Sequence, residues 1–147
     1  MLINNKASIF FFVFLALVLG GISSADTGND VWYQNLNKSP LNPPGFVFGI
    51  VWPFLYFLMS VSAYRTFTHT RNLFLFQLFF NAIWSWIFFA FHMPILALLN
   101  IWFLIGLNIK LSIDFYRLDK LSAILFIPYV LWLFFASYLN LFIVINN

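Results

Sequence analysis

Charged residues are sparse along this chain, and they cut it into long apolar runs. Between Lys6 and Asp26 lie 19 uncharged residues. Between Lys38 and Arg65 lie 26, of which Gly45 to Tyr64 is the apolar part, and between Arg71 and Lys110 lie 38. The 27 residues after Lys120 carry no charge. A helix of about 20 apolar residues crosses the ~30 Å hydrocarbon layer. At about 1.5 Å per residue, the run from Asn72 to Ile109 would be about twice that thickness, so it turns once. His92-Met93-Pro94 marks the turn, since proline lacks an N–H and suits the first turn of a new helix. The pattern predicts five spans, at 7–25, 45–65, 72–91, 94–115 and 121–145, with a polar stretch at 26–44.

Helices are the form these spans take. Backbone polar groups in lipid must be satisfied internally, by a helix or a closed barrel. Barrel strands alternate apolar and polar residues, and runs such as Ile9-Phe10-Phe11-Phe12-Val13-Phe14-Leu15 do not. The expected fold class is therefore an all-α integral membrane protein, a bundle of five transmembrane helices forming one domain over residues 1–147.

Composition strengthens this reading. The chain is 63% hydrophobic and only 7% charged, whereas soluble domains are about a quarter charged. Its seven Lys and Arg are scattered without a basic run, so nucleic acid is not an expected partner. The absence of cysteine excludes disulfides, thiol catalysis and cysteine metal sites. With five spans, Lys6, Arg65, Arg71, Lys110, Arg117 and Lys120 share one side and Lys38 alone lies on the other. The positive-inside rule then places the N-terminus in the cytoplasm. A competing reading exists for the first span: Lys6, a short apolar stretch and Ser23-Ser24-Ala25 also form the pattern of a cleaved secretory signal, which would leave four spans.

The 26–44 stretch reads as a loop, then one short amphipathic helix around Val31 to Leu36, then a proline-stiffened end at Pro40, Pro43 and Pro44. Trp32 and Tyr33 suit the depth of an interfacial aromatic belt. They equally suit a lid folded over the mouth of the bundle.

Polar residues within the spans recur at helical spacing. Phe48, Trp52, Leu55, Tyr56 and Met59 share one face of the second span. Gln77, Asn81, Trp84 and Phe88 do so in the third, and Tyr129, Trp132, Ala136 and Asn140 in the fifth. Pointing these faces at lipid would waste their hydrogen bonds, so they are expected to converge. Amides such as Gln77, Asn81 and Asn140 also serve simply to join helices. An inward, aromatic and uncharged cavity suits a large flat apolar ligand, with a few polar groups to fix its orientation. Trp52 would offer an indole N–H, Asn81 an amide and Trp132 a stacking surface. An ion pathway would instead place ionisable side chains at mid-membrane; here His92 falls at a turn and His69 in a predicted loop.

These positions form three ordered motifs. The first is Trp32-Tyr33-x-x-Leu36-x-Lys38-x-Pro40-x-x-Pro43-Pro44-x-x-x-Phe48-x-x-Val51-Trp52-x-x-Leu55-Tyr56-x-x-Met59. The second is Gln77-Leu78-x-x-Asn81-x-x-Trp84 with Phe88-Phe89, and the third is Pro128-Tyr129-x-x-Trp132-x-x-Phe135-Ala136-x-x-Leu139-Asn140. In them the chain resembles the tryptophan-rich sensory protein/translocator protein (TspO) family, whose mitochondrial members are called peripheral-type benzodiazepine receptors. The resemblance implies a five-helix bundle, often a homodimer, with the first helix retained and a ligand pocket beneath the first loop. It implies porphyrins such as protoporphyrin IX and haem as ligands, sterols in some members, and no obligatory cofactor or metal. The pocket residues it implies are Trp32, Tyr33, Trp52, Tyr56, Asn81, Trp84, Phe88, Trp132, Phe135 and Ala136; Phe48 and Gln77 are added from the faces above.

The match departs from the family in two places. Lys38-Ser39 stands where many members carry Lys-Pro. The C-terminal sterol motif of animal members lacks its basic residue after Tyr138, although Leu111-x4-Tyr116-x3-Lys120 fits the loose sterol pattern. The abundance of Phe, Ile and Asn fits an AT-rich genome and a bacterial cell membrane. Three functions fit the family: porphyrin receptor or regulator, light-dependent porphyrin-degrading enzyme, and tetrapyrrole or sterol transporter. No nucleophile, base and orienter set is visible, so no catalytic residue is assigned. Ala16-x-x-x-Gly20 offers a small-residue face for a homodimer.

Overall fold

The computed structural model describes residues 2–147, and every described regular element is helical. After a single 3-10 turn at Leu2–Asn4 come α1 (Ser8–Ser24), the short α2 (Val31–Gln34) and α3 (Gly45–Arg65). Next are α4 (Phe67–Ser85), α5 (Pro94–Leu118) and α6 (Lys120–Asn146). α4 runs on as a π-helical turn, Trp86–Ala90. With that turn α4 is 24 residues long, and α3, α4, α5 and α6 are each long and apolar enough to cross a membrane. α1 is apolar but shorter, at 17 residues.

α1 packs on α3 and α4, α3 on α6, α6 on α5, and α5 on α4, which closes a ring of five helices. The outside of the ring is apolar: Phe11, Phe14, Phe46, Ile50, Phe54, Phe57 and Leu131 are exposed. In lipid such a surface is solvated. Pro53 and Pro128 lie inside α3 and α6, as neighbouring helices in a membrane bundle permit.

Two tight turns form one end. Thr66 alone separates α3 from α4, and Asp119 alone separates α5 from α6. Thr66 Oγ1 donates to the Ser62 carbonyl at 2.9 Å and lies 2.9 Å from Thr70 Oγ1, so the turn satisfies its own polar groups. Arg65 Nε and Asp119 Oδ2 are 2.6 Å apart and clamp the two turns together. Arg65 and the Ser122 hydroxyl together hold the Asp119 carboxyl well below the usual carboxylate range. Asp119 also caps α6, accepting from the Ser122 backbone N–H.

Three details differ from the sequence expectation. α4 begins at Phe67 rather than at residue 72, so His69 lies in its first turn and not in a loop. Arg71 lies inside the helix and does not mark its start, because a charged residue outside the apolar run can continue a helix. α5 and α6 each extend past the apolar run for the same reason. The Ala16-x-x-x-Gly20 face is spent inside the chain: Ala16 is buried, and Gly20 lies against Ser85 of α4.

Candidate functional site

The other end of the ring carries a cavity of about 780 Å³, enclosed by α1, α3, α4, α6 and the segment 26–44. No residue of α5 lines it. α3 contributes Phe48, Trp52 and Tyr56, α4 and its π turn contribute Asn81, Trp84 and Phe88, and α6 contributes Ala136. Trp52 stands edge-on to Tyr56 at 5.7 Å, and Trp84 stacks on Phe88 at 5.6 Å. The i, i+4 spacing of each pair puts both rings on one side of the helix. The π turn widens α4 where it meets the lid; such bulges recur at functional sites.

The floor is a hydrogen-bond chain that links three helices. The Tyr56 hydroxyl donates to Asn81 Oδ1, Asn81 Nδ2 donates to the Tyr129 hydroxyl at 2.7 Å, and Tyr129 donates to Gln77 Oε1 at 2.9 Å. Below it Phe74, Phe115, Phe126 and Met59 fill the bundle completely. Higher up, Trp84 Nε1 donates to Asn140 Oδ1 at 3.2 Å, and Asn140 Nδ2 donates to the Pro94 carbonyl at 2.9 Å.

The segment 26–44 closes the mouth. Asp30 caps α2 through the Trp32 N–H, and its other oxygen is 2.9 Å from His92 Nε2. The Trp32 ring stacks on His92 at 4.2 Å and meets Phe88 edge-on at 5.7 Å. His92 adopts a left-handed φ of 54°, which ends the π turn and brings the ring across to α2. The Ser39 hydroxyl is 2.8 Å from that of Tyr138, and the Asn37 N–H donates to Asn147 Oδ1 at 2.8 Å, so the lid is fastened to α6 as well. Burial raises the pKa of the Tyr33 phenol and lowers that of the Lys38 amine.

Of the twelve residues expected from the sequence, the structure brings eight to the cavity: Tyr33, Phe48, Trp52, Tyr56, Asn81, Trp84, Phe88 and Ala136. The other four lie behind its wall. Trp32 braces the lid from outside, and Gln77, fully buried, is the last link of the floor. Trp132 meets Trp52 edge-on at 6.2 Å and Phe135 at 5.3 Å, forming a second row behind Trp52. Leu17, Gly20 and Gly21 of α1, with Ser24, also line the cavity. The patterns in this helix, Ala16-x-x-x-Gly20 and Ser23-Ser24-Ala25, pointed to a dimer face and a cleavage site rather than to a cavity wall.

The arrangement defines a class, a polytopic helical membrane protein with an aromatic cavity inside the bundle and a capped lid. The chain belongs to the TspO/MBR family, whose model matches residues 9–145. It is 35% identical over 119 residues to the tryptophan-rich sensory protein of Cereibacter sphaeroides, covering 76% of this chain and 73% of that one. It is 35% identical over 145 residues to the tryptophan-rich protein TspO of Bacillus cereus, covering 92% and 94%. Its identity to the human translocator protein is 32% over 119 residues, covering 74% and 70%.

Proposed function

We propose that the chain is a membrane receptor or regulator that binds porphyrins, protoporphyrin IX or haem, in the cavity beneath the lid. The observation that carries this reading is the cavity itself: about 780 Å³, with Trp52, Tyr56, Trp84 and Phe88 around it and Asn81 at its floor. Its volume falls in the range of ~300–1,000 Å³ that buries most of a drug-sized ligand. Aromatic walls favour a flat ring by stacking and edge contacts. In the finer reading α1 is a fifth span, the Thr66 and Asp119 turns face the cytoplasm, and the chain pairs as a homodimer. The gathering of six cations at the turn end supports the orientation. The dimer rests on family resemblance, and its interface lies elsewhere than the Ala16–Gly20 face.

The test is a titration of the purified protein in lipid nanodiscs with protoporphyrin IX, followed by tryptophan fluorescence. Saturable quenching at one site per chain is expected. Quenching that rises without saturation, as in empty nanodiscs, would refute the reading. Illuminating the saturated sample and analysing the pigment then separates a receptor from a porphyrin-degrading enzyme.

A further inference from the structure

The charge around the cavity is lopsided. Among its described lining residues one is charged, Lys38, and none is acidic. Among the described residues Lys38 is also the only Lys or Arg at the lid end; the other six lie towards the two tight turns and the start of α1. Its ammonium is held in place: Nζ donates to the Tyr33 carbonyl at 2.6 Å and sits 4.3 Å from the centre of the Tyr33 ring. Those contacts fix its position but do not neutralise it.

The chain has four acids, and each is engaged elsewhere. Asp26 accepts from Asn29, Asp30 faces His92, Asp114 pairs with Lys110, and Asp119 pairs with Arg65. A partly buried ammonium beside a cavity without an acidic neighbour gives up some hydration and regains only part of it from the Tyr33 carbonyl and ring. An anion arriving from the cavity restores that loss, and the more fully the less water remains around the pair. The neighbouring polar residues at the mouth, Gln34, Asn42 and Thr27, are neutral.

We propose that Lys38 is the anion receptor of the cavity, so that its ligand is an amphiphilic acid with a flat aromatic body among Trp52, Trp84 and Phe88 and a carboxylate at the lid. This rests on the reading of the cavity as a porphyrin site, and it adds that the carboxylate edge of the ring points to the mouth. It assigns to the lid a role in selection as well as closure, because Lys38 and Tyr33 both belong to it.

The experiment compares each acid with its neutral ester. Protoporphyrin IX and its dimethyl ester form one pair; pyrenebutyric acid and its methyl ester form a second pair unrelated to porphyrins. All four are titrated into wild-type protein and the Lys38→Gln and Lys38→Arg variants in nanodiscs of neutral lipid. The wild type is expected to prefer each acid over its ester by roughly tenfold, the size of a charge-assisted hydrogen bond at a partly wet site. Lys38→Gln should abolish the preference, lowering acid affinity far more than ester affinity, and Lys38→Arg should retain most of it. Equal binding of acid and ester by the wild type would overturn the proposal. So would an equal loss of both in Lys38→Gln, which would make Lys38 a lid fastener only. If neither porphyrin binds but pyrenebutyric acid is still preferred through Lys38, the porphyrin reading fails and the anion receptor stands. If no compound binds saturably, both fail.

Discussion

Asn81 and Trp132 illustrate how much a single side chain's role depends on its neighbours. Both lie on the aromatic-polar faces that the sequence marks, and both look like ligand contacts there. In the fold, Asn81 accepts from Tyr56 and donates to Tyr129, so its amide is largely committed to the floor. Replacing it with alanine strands the Tyr56 hydroxyl and leaves Tyr129 with Gln77 alone, and a destabilisation of about 1–2 kcal/mol is expected, measurable by thermal unfolding in detergent. Trp132 stands behind Trp52. Trp52→Ala is therefore expected to weaken porphyrin binding roughly tenfold, through lost ring contact and burial, and Trp132→Ala only about threefold, by loosening Trp52. Trp102 is on α5, away from the cavity, and donates to Ser137 at 2.9 Å. Trp102→Phe should leave affinity unchanged. Fluorescence titration of the three variants checks the order; a larger loss in Trp132→Ala than in Trp52→Ala would contradict it.

At the scale of elements, the two ends of the helices are built differently. The Thr66 and Asp119 turns are minimal and held by Arg65–Asp119. Because the Asp119 carboxylate is favoured in the fold, its contribution is present at neutral pH and is lost as pH falls through and below the usual carboxylate range. Asp119→Asn keeps a good capping residue but removes the charge. Its deficit in melting temperature relative to wild type should be greatest near pH 7 and should shrink as pH falls below about 4. Asp119→Ala, which also removes the cap, should melt lower than Asp119→Asn at neutral pH. A deficit in Asp119→Asn that is the same at every pH would show that the carboxylate charge is not what stabilises the turn.

The helices were legible in the sequence because length and hydropathy dictate them: α3 has the limits that Lys38, the prolines and Arg65 suggest, and Pro94 opens α5. The start of α4 was not, since a helix continues beyond the bilayer and a charge such as Arg71 does not stop it. The lid helix was legible from Trp32 and Tyr33. Its fastening to His92 and Asn147 was not, since neither lies near it in the chain. The same limit hid which of two aromatic residues on one face stands in front, as with Trp52 and Trp132. It also hid the part played by α1, where Gly20 and Ser24 sit in patterns that suit a dimer face and a cleavage site and say nothing of a cavity.

For the molecule as a whole, the asymmetry between a solid end and a hollow one suggests how it sits in a membrane. The solid end gathers six cations, while the hollow end carries the cavity and the lid that His92 and Asn147 fasten. Reporter fusions at residues 28, 66, 92 and 119 should alternate in sidedness, with 66 and 119 in the cytoplasm. Fusions at 66 and 119 reporting opposite sides would break the antiparallel topology on which the cavity depends.

The central claim is that the aromatic cavity is where the ligand goes. A structure of the protein crystallised with protoporphyrin IX tests it most directly. The ring is expected inside the bundle, against Trp52, Trp84 and Phe88 and above Asn81, with a carboxylate beside Lys38. A ring bound on the lipid-facing surface, for example in the apolar groove between α5 and α6 at Ile113, Tyr116 and Leu131, with the cavity unchanged, would contradict it.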